Sequence, residues 1–300
     1  MIKRFLSFVE IRTKVTTSCS FLLALAYLEY RAQIIDWTLT LIFFFSMMIM
    51  DCATTATNNY MDTKTNGLPL QFERKTALRL IWLMFLVSIA GGLYLVYCTD
   101  LVVLLLGGLC FLSGVLYTWG PVPISRMPLG ELISGVVQGG VGPFLALYIN
   151  MPAGTYMTLG FSKGTIVLSL NVLPLIAVLL LTIPPMCTIA GIMLANNICD
   201  RERDIAVQRY TLAYYLKRKA LYLFAGLYYT CYAADVLLVV LEMAPPILLL
   251  ILVTIIPVQI NIRKFFQKQE KRETFPLSIS NFLIIIGANI LLFLICPYLT

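Results

Sequence analysis

The 300-residue chain is 60% hydrophobic and only 12% charged, with a net charge of +7 and a mean hydropathy of +0.88. Ordinary globular chains carry about 25% charged residues, so a soluble domain is excluded. There is no histidine, which excludes histidine-based acid–base catalysis and histidine-ligated haem or zinc.

Crossing a hydrocarbon core of roughly 30 Å takes about 20 apolar residues. Nine such runs follow one another at 15–33, 37–58, 77–98, 101–119, 132–151, 166–196, 220–241, 245–262 and 279–296. The first is too long and too poorly followed for a cleaved signal peptide, and it counts as a span. The sixth contains Pro174, Pro184 and Pro185, which predicts a kink. The expected fold is all-α: a polytopic bundle of nine transmembrane helices, forming one domain over 1–300 with halves at about 1–130 and 131–300. Eight cysteines without a C-x-x-C pair give neither a disulfide frame nor an iron–sulfur or zinc site.

With the N-terminus assigned to the cytoplasm, 20 of the 22 Lys and Arg residues fall on cytoplasmic segments, and only Arg31 and Lys163 fall outside. That asymmetry is what the positive-inside rule requires of a correct set of spans. The basic residues therefore read as topology signals and contacts to anionic membrane lipid, and not as a nucleic-acid surface. A bacterial cytoplasmic membrane is the expected location.

Two helix ends are richer in polar detail than topology demands. The second span ends in Asn58-Asn59-Tyr60-Met61-Asp62, and the sixth in Asn196-Asn197-Ile198-Cys199-Asp200, followed by Asp204. The pentad N-N-x-x-D thus occurs twice, each time at a cytoplasmic end, as an internal repeat. Residues four apart share a helix face. Asn58 and Asp62 form one pair, Asn196, Asp200 and Asp204 a second row, and Asp51 and Thr55 extend the first stripe into the membrane. An ionisable residue at the depth of Asp51 is costly and points to function. Oxygen-only clusters suit magnesium, and nearby Arg and Lys suit phosphate. Two such rows with a basic rim predict a cage for a magnesium diphosphate. Gln138, Asn171, Asp235 and Asn289 read as hydrogen-bonded bridges between helices.

The two motifs on nine spans resemble those of the UbiA-type membrane prenyltransferases. A third block, Tyr117-Thr118-Trp119-Gly120-Pro121-Val122-Pro123-Ile124 and then Pro128-Leu129-Gly130-Glu131, resembles the corresponding segment of the 1,4-dihydroxy-2-naphthoate polyprenyltransferases of menaquinone synthesis. Arg12-Thr13-Lys14 matches that subgroup's entry segment except for its proline, and Arg209 with Thr211-Leu212 follows the second motif as in that subgroup. Some positions differ: Asn59 stands where the family usually has Asp, Gln208 where glycine is common, and Tyr215 where Arg is frequent.

The resemblance implies transfer of a polyprenyl chain from its diphosphate to 1,4-dihydroxy-2-naphthoate, with loss of carbon dioxide. Mg2+ would be held by Asn58, Asp62, Asn196, Asp200 and Asp204, with Asp62, Asp200 and Asp204 essential. Lys64, Arg74 and Arg209 are the expected diphosphate contacts. Tyr60, Tyr117 and Trp119 would face the allylic cation, beside Asp51, and Arg12 or Lys14 would pair with the acceptor carboxylate. The polar loops 63–76 and 201–219 are candidates for a cover over the site. Two alternatives stand beside this reading: a sister enzyme using another aromatic acceptor such as 4-hydroxybenzoate, and a secondary transporter, whose sites usually lie nearer the bilayer midplane.

Overall fold

In lipid a backbone can satisfy its polar groups only internally, so the long apolar runs fold as helices. The computed structural model describes residues 1–64, 69–120, 123–162 and 164–298. In chain order its helices begin with α1 (Ile2–Phe8), α2 (Val15–Tyr30), α3 (Trp37–Asp62), α4 (Arg74–Cys98) and α5 (Leu101–Thr118). Next, α6 (Gly130–Ser134) continues through a π-helical segment, Gly135–Val141, into α7 (Gly142–Tyr148). A hairpin of β1 (Met157–Ser162) and β2 (Thr165–Leu170) precedes α8 (Val172–Cys199), α9 (Arg201–Ala206) and α10 (Leu212–Leu216). The chain ends with α11 (Lys219–Val240), a 3-10 stretch Pro246–Thr254 leading into α12 (Ile255–Gln267), and α13 (Phe275–Ile295).

Among the described residues eight helical segments are long and apolar enough to cross a membrane, as a polytopic membrane protein requires. The first expected span appears as α2, which is 16 residues long and falls short of that length. The sixth span does not begin at Ile166 as expected. Residues 165–170 instead form β2, antiparallel to β1 with Met157 opposite Leu170 and Phe161 opposite Ile166. The run is apolar but rich in β-branched residues, and it follows Gly164 in a left-handed conformation (φ 79°), so hairpin chemistry prevails over hydropathy. Lys163, one of the two basic residues expected outside, lies beyond the described residues. Pro174 falls in the first turn of α8, where it costs little, whereas Pro184 and Pro185 lie inside the helix and remove two backbone donors.

One crossing positions the functional end. The π-helical segment packs on α8 where the two prolines stand. A Cβ added to Gly139 would lie 2.5 Å from both the Met186 nitrogen and the Pro185 carbonyl carbon, so the two backbones touch there. Such close approach is the use of small residues in membrane helix packing. α8 also packs against α11 and α13, and α3 against α4. In the second half Asn289 donates to Asp235 (3.2 Å), both about 1% exposed, which bridges α13 and α11 as expected. Asn171 instead donates to the carbonyls of Gly154 and Thr155, bracing the hairpin. The eight cysteines are all free thiols.

Candidate active site

The second motif keeps its helical row across the junction of α8 and α9. The Asp200 amide donates to the Asn196 carbonyl (3.0 Å) and the Asp204 amide to the Asp200 carbonyl (2.8 Å), so Asn196, Asp200 and Asp204 share one face. The Lys271 ammonium donates to both Asn196 Oδ1 and Asp200 Oδ2. Asp204 Oδ1 lies 3.6 Å from Arg209 Nη1. Burial pushes the Asp204 carboxyl above the usual carboxylate range, and the Arg209 guanidinium opposes that rise. Arg209 is itself fixed by donation from Nε to the Ser125 carbonyl (2.9 Å).

The first motif comes to the same end of the bundle. Asn58 donates to Asp62 Oδ2 (3.1 Å), and the buried Thr118 hydroxyl reaches Asn58 Oδ1 at 3.5 Å. Arg209, Arg126 and Arg203 are among the positive charges acting on Asp62. Arg209 also acts on Asp204, so one guanidinium is in electrostatic reach of both motifs, as a polyanion site would require. Among the described residues no three acidic or cysteine side chains converge closely enough to hold one ion by themselves. The donor set nevertheless fits magnesium, which keeps several waters and takes only one or two carboxylates beside substrate phosphates. Two buried carboxylate oxygens, Asp204 Oδ2 and Glu131 Oε2, have no hydrogen-bond partner, and an orphaned buried anion oxygen is what an absent ion or its waters would satisfy.

Several residues here were not singled out from the sequence as site residues. Asn197, the second Asn of its pentad, donates to Glu131 Oε1 (2.8 Å), with both side chains buried. The Tyr210 amide donates to the Arg126 carbonyl (3.2 Å). With the Arg209–Ser125 bond, three hydrogen bonds thus fasten residues 125–131 to the second motif and the segment that follows it. The quoted P-L-G-E run already contained Glu131, but its partner on α8 was not readable from spacing. Lys271 carried no signal beyond being basic.

The remaining expected residues divide among separate places. Tyr117 stands in the cluster: its hydroxyl faces Gly130 of the same block, and the charges of Arg209, Glu131 and Asp62 act on it. Lys14 and Asp51 face each other deeper in the bundle, at 2.7 Å and only 4% and 11% exposed. Lys14 also donates to the Thr55 hydroxyl (2.6 Å), and Thr17 donates to Asp51 Oδ2 (2.6 Å). Arg12 is exposed. Tyr60 is two residues from both Asn58 and Asp62, nearly the opposite side of the helix. Its ring carries Lys64 at 5.3 Å and Arg74 at 5.2 Å, so these three gather away from the Asn58–Asp62 face. Trp119 is 44% exposed and meets Trp82 edge-on at 6.0 Å. Of the two loops, 201–219 carries α9 and α10, while residues 65–68 of the other lie outside the described residues.

Two expected outcomes arise from these contacts. Lys14→Met would strand the Asp51 carboxylate in the bundle, and breaking one side of a buried pair costs about 3–5 kcal/mol. Thermal unfolding in detergent should show that loss, and Lys14→Met/Asp51→Asn should recover part of it. Asn59 donates to the Phe8 carbonyl (3.0 Å), which ties α1 to α3 and explains an amide at this position. Asn59→Asp removes the donor and sets a charge against that carbonyl, a cost of about 1–3 kcal/mol. Hydrogen exchange over residues 2–8 should quicken, and unchanged protection would show that the bond does not hold α1.

Against known proteins, the model of the UbiA prenyltransferase family matches residues 18–285. The chain belongs to the UbiA prenyltransferase family. Its placement there makes it a membrane prenyltransferase and displaces the transporter reading. Among curated proteins it is similar to the 1,4-dihydroxy-2-naphthoate octaprenyltransferase of Bacillus subtilis (strain 168). The two are 28% identical over 250 residues, covering 79% of this chain and 73% of that protein. Among solved structures, a UbiA homologue from Aeropyrum pernix K1 has the same fold, with a TM-score of 0.66 and 19% identity over 93% of this chain and 97% of that one. A UbiA homologue from Archaeoglobus fulgidus bound to GPP and Mg2+ aligns with a TM-score of 0.63 and 14% identity, over 97% and 98% of the two chains. This UbiA-family chain thus shares its architecture with proteins that bind a prenyl diphosphate and a divalent cation.

Proposed function

We propose that the protein transfers a polyprenyl chain from polyprenyl diphosphate to 1,4-dihydroxy-2-naphthoate with decarboxylation, giving demethylmenaquinol, the reduced form of demethylmenaquinone, at the cytoplasmic face of a bacterial membrane. The observation that carries the acceptor is the 117–131 block. It resembles the naphthoate subgroup in sequence, its residues 125–131 are bonded to the second motif and the segment after it by three hydrogen bonds, and the chain is similar to a naphthoate octaprenyltransferase.

Asn58 and Asp62 on one side, with Asn196, Asp200 and Asp204 on the other, would hold Mg2+. When bound, magnesium neutralises the diphosphate so that it can leave with the C–O electron pair. Arg209, already braced on Ser125, directs its charge at the same oxygens, as preorganised donors must. Lys64 and Arg74 gather on the Tyr60 ring, away from the Asn58–Asp62 face, so Arg209 is the diphosphate contact this reading relies on. Departure of diphosphate leaves an allylic cation. The Tyr117 ring would face that cation, since the charges of Asp62, Glu131 and Arg209 act on it, whereas Tyr60 is turned to the other side of α3 and Trp119 is exposed. The electron-rich ring of the acceptor attacks the cation, forming the C–C bond, and the ring carboxylate leaves as carbon dioxide with its electrons returned to the ring. Arg12 and Lys14 are the basic residues of the entry segment for that carboxylate. Arg12 is the exposed one, whereas Lys14 is bound to Asp51.

A product assay on purified protein in detergent tests this reading, using polyprenyl diphosphate with either 1,4-dihydroxy-2-naphthoate or 4-hydroxybenzoate, with magnesium or with chelator. Magnesium-dependent prenylated naphthoquinol, read as the quinone after oxidation in air, and carbon dioxide are expected. Product from the benzoate alone would keep the prenyltransferase chemistry and overturn the acceptor.

A further inference from the structure

The loop between α12 and α13 is braced by its own residues. Lys268 bridges Glu270 (3.1 Å) and Glu273 (2.8 Å). Gln269 donates to the carbonyls of Phe265 and Phe266, and the Glu270 amide donates to the Thr274 hydroxyl (2.8 Å). From this frame Lys271 passes over the Phe275 ring, 4.9 Å from its centre, and places its ammonium between Asn196 Oδ1 and Asp200 Oδ2. It thereby brings a loop remote in sequence from both motifs into the site.

The contact is not a buried structural pair, because Lys271 is 44% and Asp200 23% exposed. Exposed pairs contribute about 0–1 kcal/mol, so this one exchanges readily. A divalent cation arriving at Asn196 and Asp200 competes directly with the ammonium. A diphosphate arriving with that cation offers the displaced ammonium new oxygens within the reach of its flexible stem.

We propose that Lys271 is a diphosphate-binding residue that occupies the second motif until the substrate arrives. The inference rests on the diphosphate reading above and adds to it an exchange: the ammonium leaves Asn196 and Asp200 as the metal enters, and transfers to the phosphate oxygens. Metal and diphosphate then bind cooperatively, since each lowers the cost of displacing Lys271 for the other.

The test uses the full chain in detergent, stripped of metal. Mn2+ is titrated alone, followed by electron paramagnetic resonance, and farnesyl thiolodiphosphate is then titrated at saturating Mg2+. Lys271→Met should bind Mn2+ alone about fivefold more tightly than wild type and the thiolodiphosphate about fivefold more weakly, the low end of the span for coupled sites. Lys271→Arg should keep both affinities near wild type. Arg272→Met, which removes an equal charge from the exposed neighbouring position and leaves the Lys268 brace intact, should change neither. Unchanged affinities in Lys271→Met, or the same shifts in Arg272→Met, would overturn the proposal. If the wild-type protein binds no thiolodiphosphate with Mg2+, the diphosphate reading itself fails, and this inference falls with it.

Discussion

Asp62→Ala and Asp200→Ala are each expected to lower prenyl transfer by about 10³-fold or more, the loss that follows removal of a preorganised charge-stabilising group. The two aspartates stand in different surroundings. Asp62 is held by Asn58 and feels the charges of Arg209, Arg126 and Arg203, and Asp200 is met by Lys271. Equal losses from such unlike neighbourhoods would point to one shared task. Neither side chain is buried, so the melting temperature in detergent should change little. The double variant should be scarcely slower than either single one, because groups that act as a unit are strongly non-additive. The assay is turnover of labelled prenyl diphosphate. Near-wild-type rates in either single variant would remove the metal-cage reading.

Gly139→Ala is the substitution expected to harm the fold most for its size. Its Cβ would lie 2.5 Å from the backbone of Pro185 and Met186, and a backbone cannot swing aside as a side chain can. Overpacking costs about 1–3 kcal/mol and occasionally more, and the upper end applies where two main chains touch. The damage should also reach the site, because the same crossing carries Glu131 to Asn197 (2.8 Å). A melting temperature lower by about 5–10 °C is the expected reading, taking about 2–4 °C per kcal/mol for a chain of this class. Gly226→Ala is the control: nothing lies within 4 Å of its added Cβ, and a helical Gly→Ala change there should be neutral or mildly stabilising. A Gly139→Ala protein as stable as wild type would mean that the crossing can open.

Both acidic motifs were legible because a repeated pentad with helical spacing needs no tertiary information: Asn58 and Asp62 face one way wherever the helix goes. The helical spans were legible for a similar reason, since lipid leaves an apolar run few alternatives. The hairpin at 157–170 was not, because hydropathy does not distinguish a buried strand or an exposed hairpin from a span, and the run had to be judged by its β-branched residues and Gly164. Asn59 shows another limit. Set against the family pattern it reads as a lost carboxylate, yet in the fold it is a donor to Phe8. Tyr60, Lys64 and Arg74 lay close to the motif in sequence, but helix geometry turns them to the other side of α3.

What the sequence determined by itself is the part set by local period and by the solvent: a membrane bundle, two oxygen-rich helix ends on one side, and the chemistry such ends can hold. The tertiary structure alone decided which distant groups complete them. Lys271 lies 71 residues from Asp200 and Glu131 lies 66 from Asn197. Those meetings depend on backbone contact at Gly139 and on a self-braced loop, and neither leaves a periodic trace in the chain.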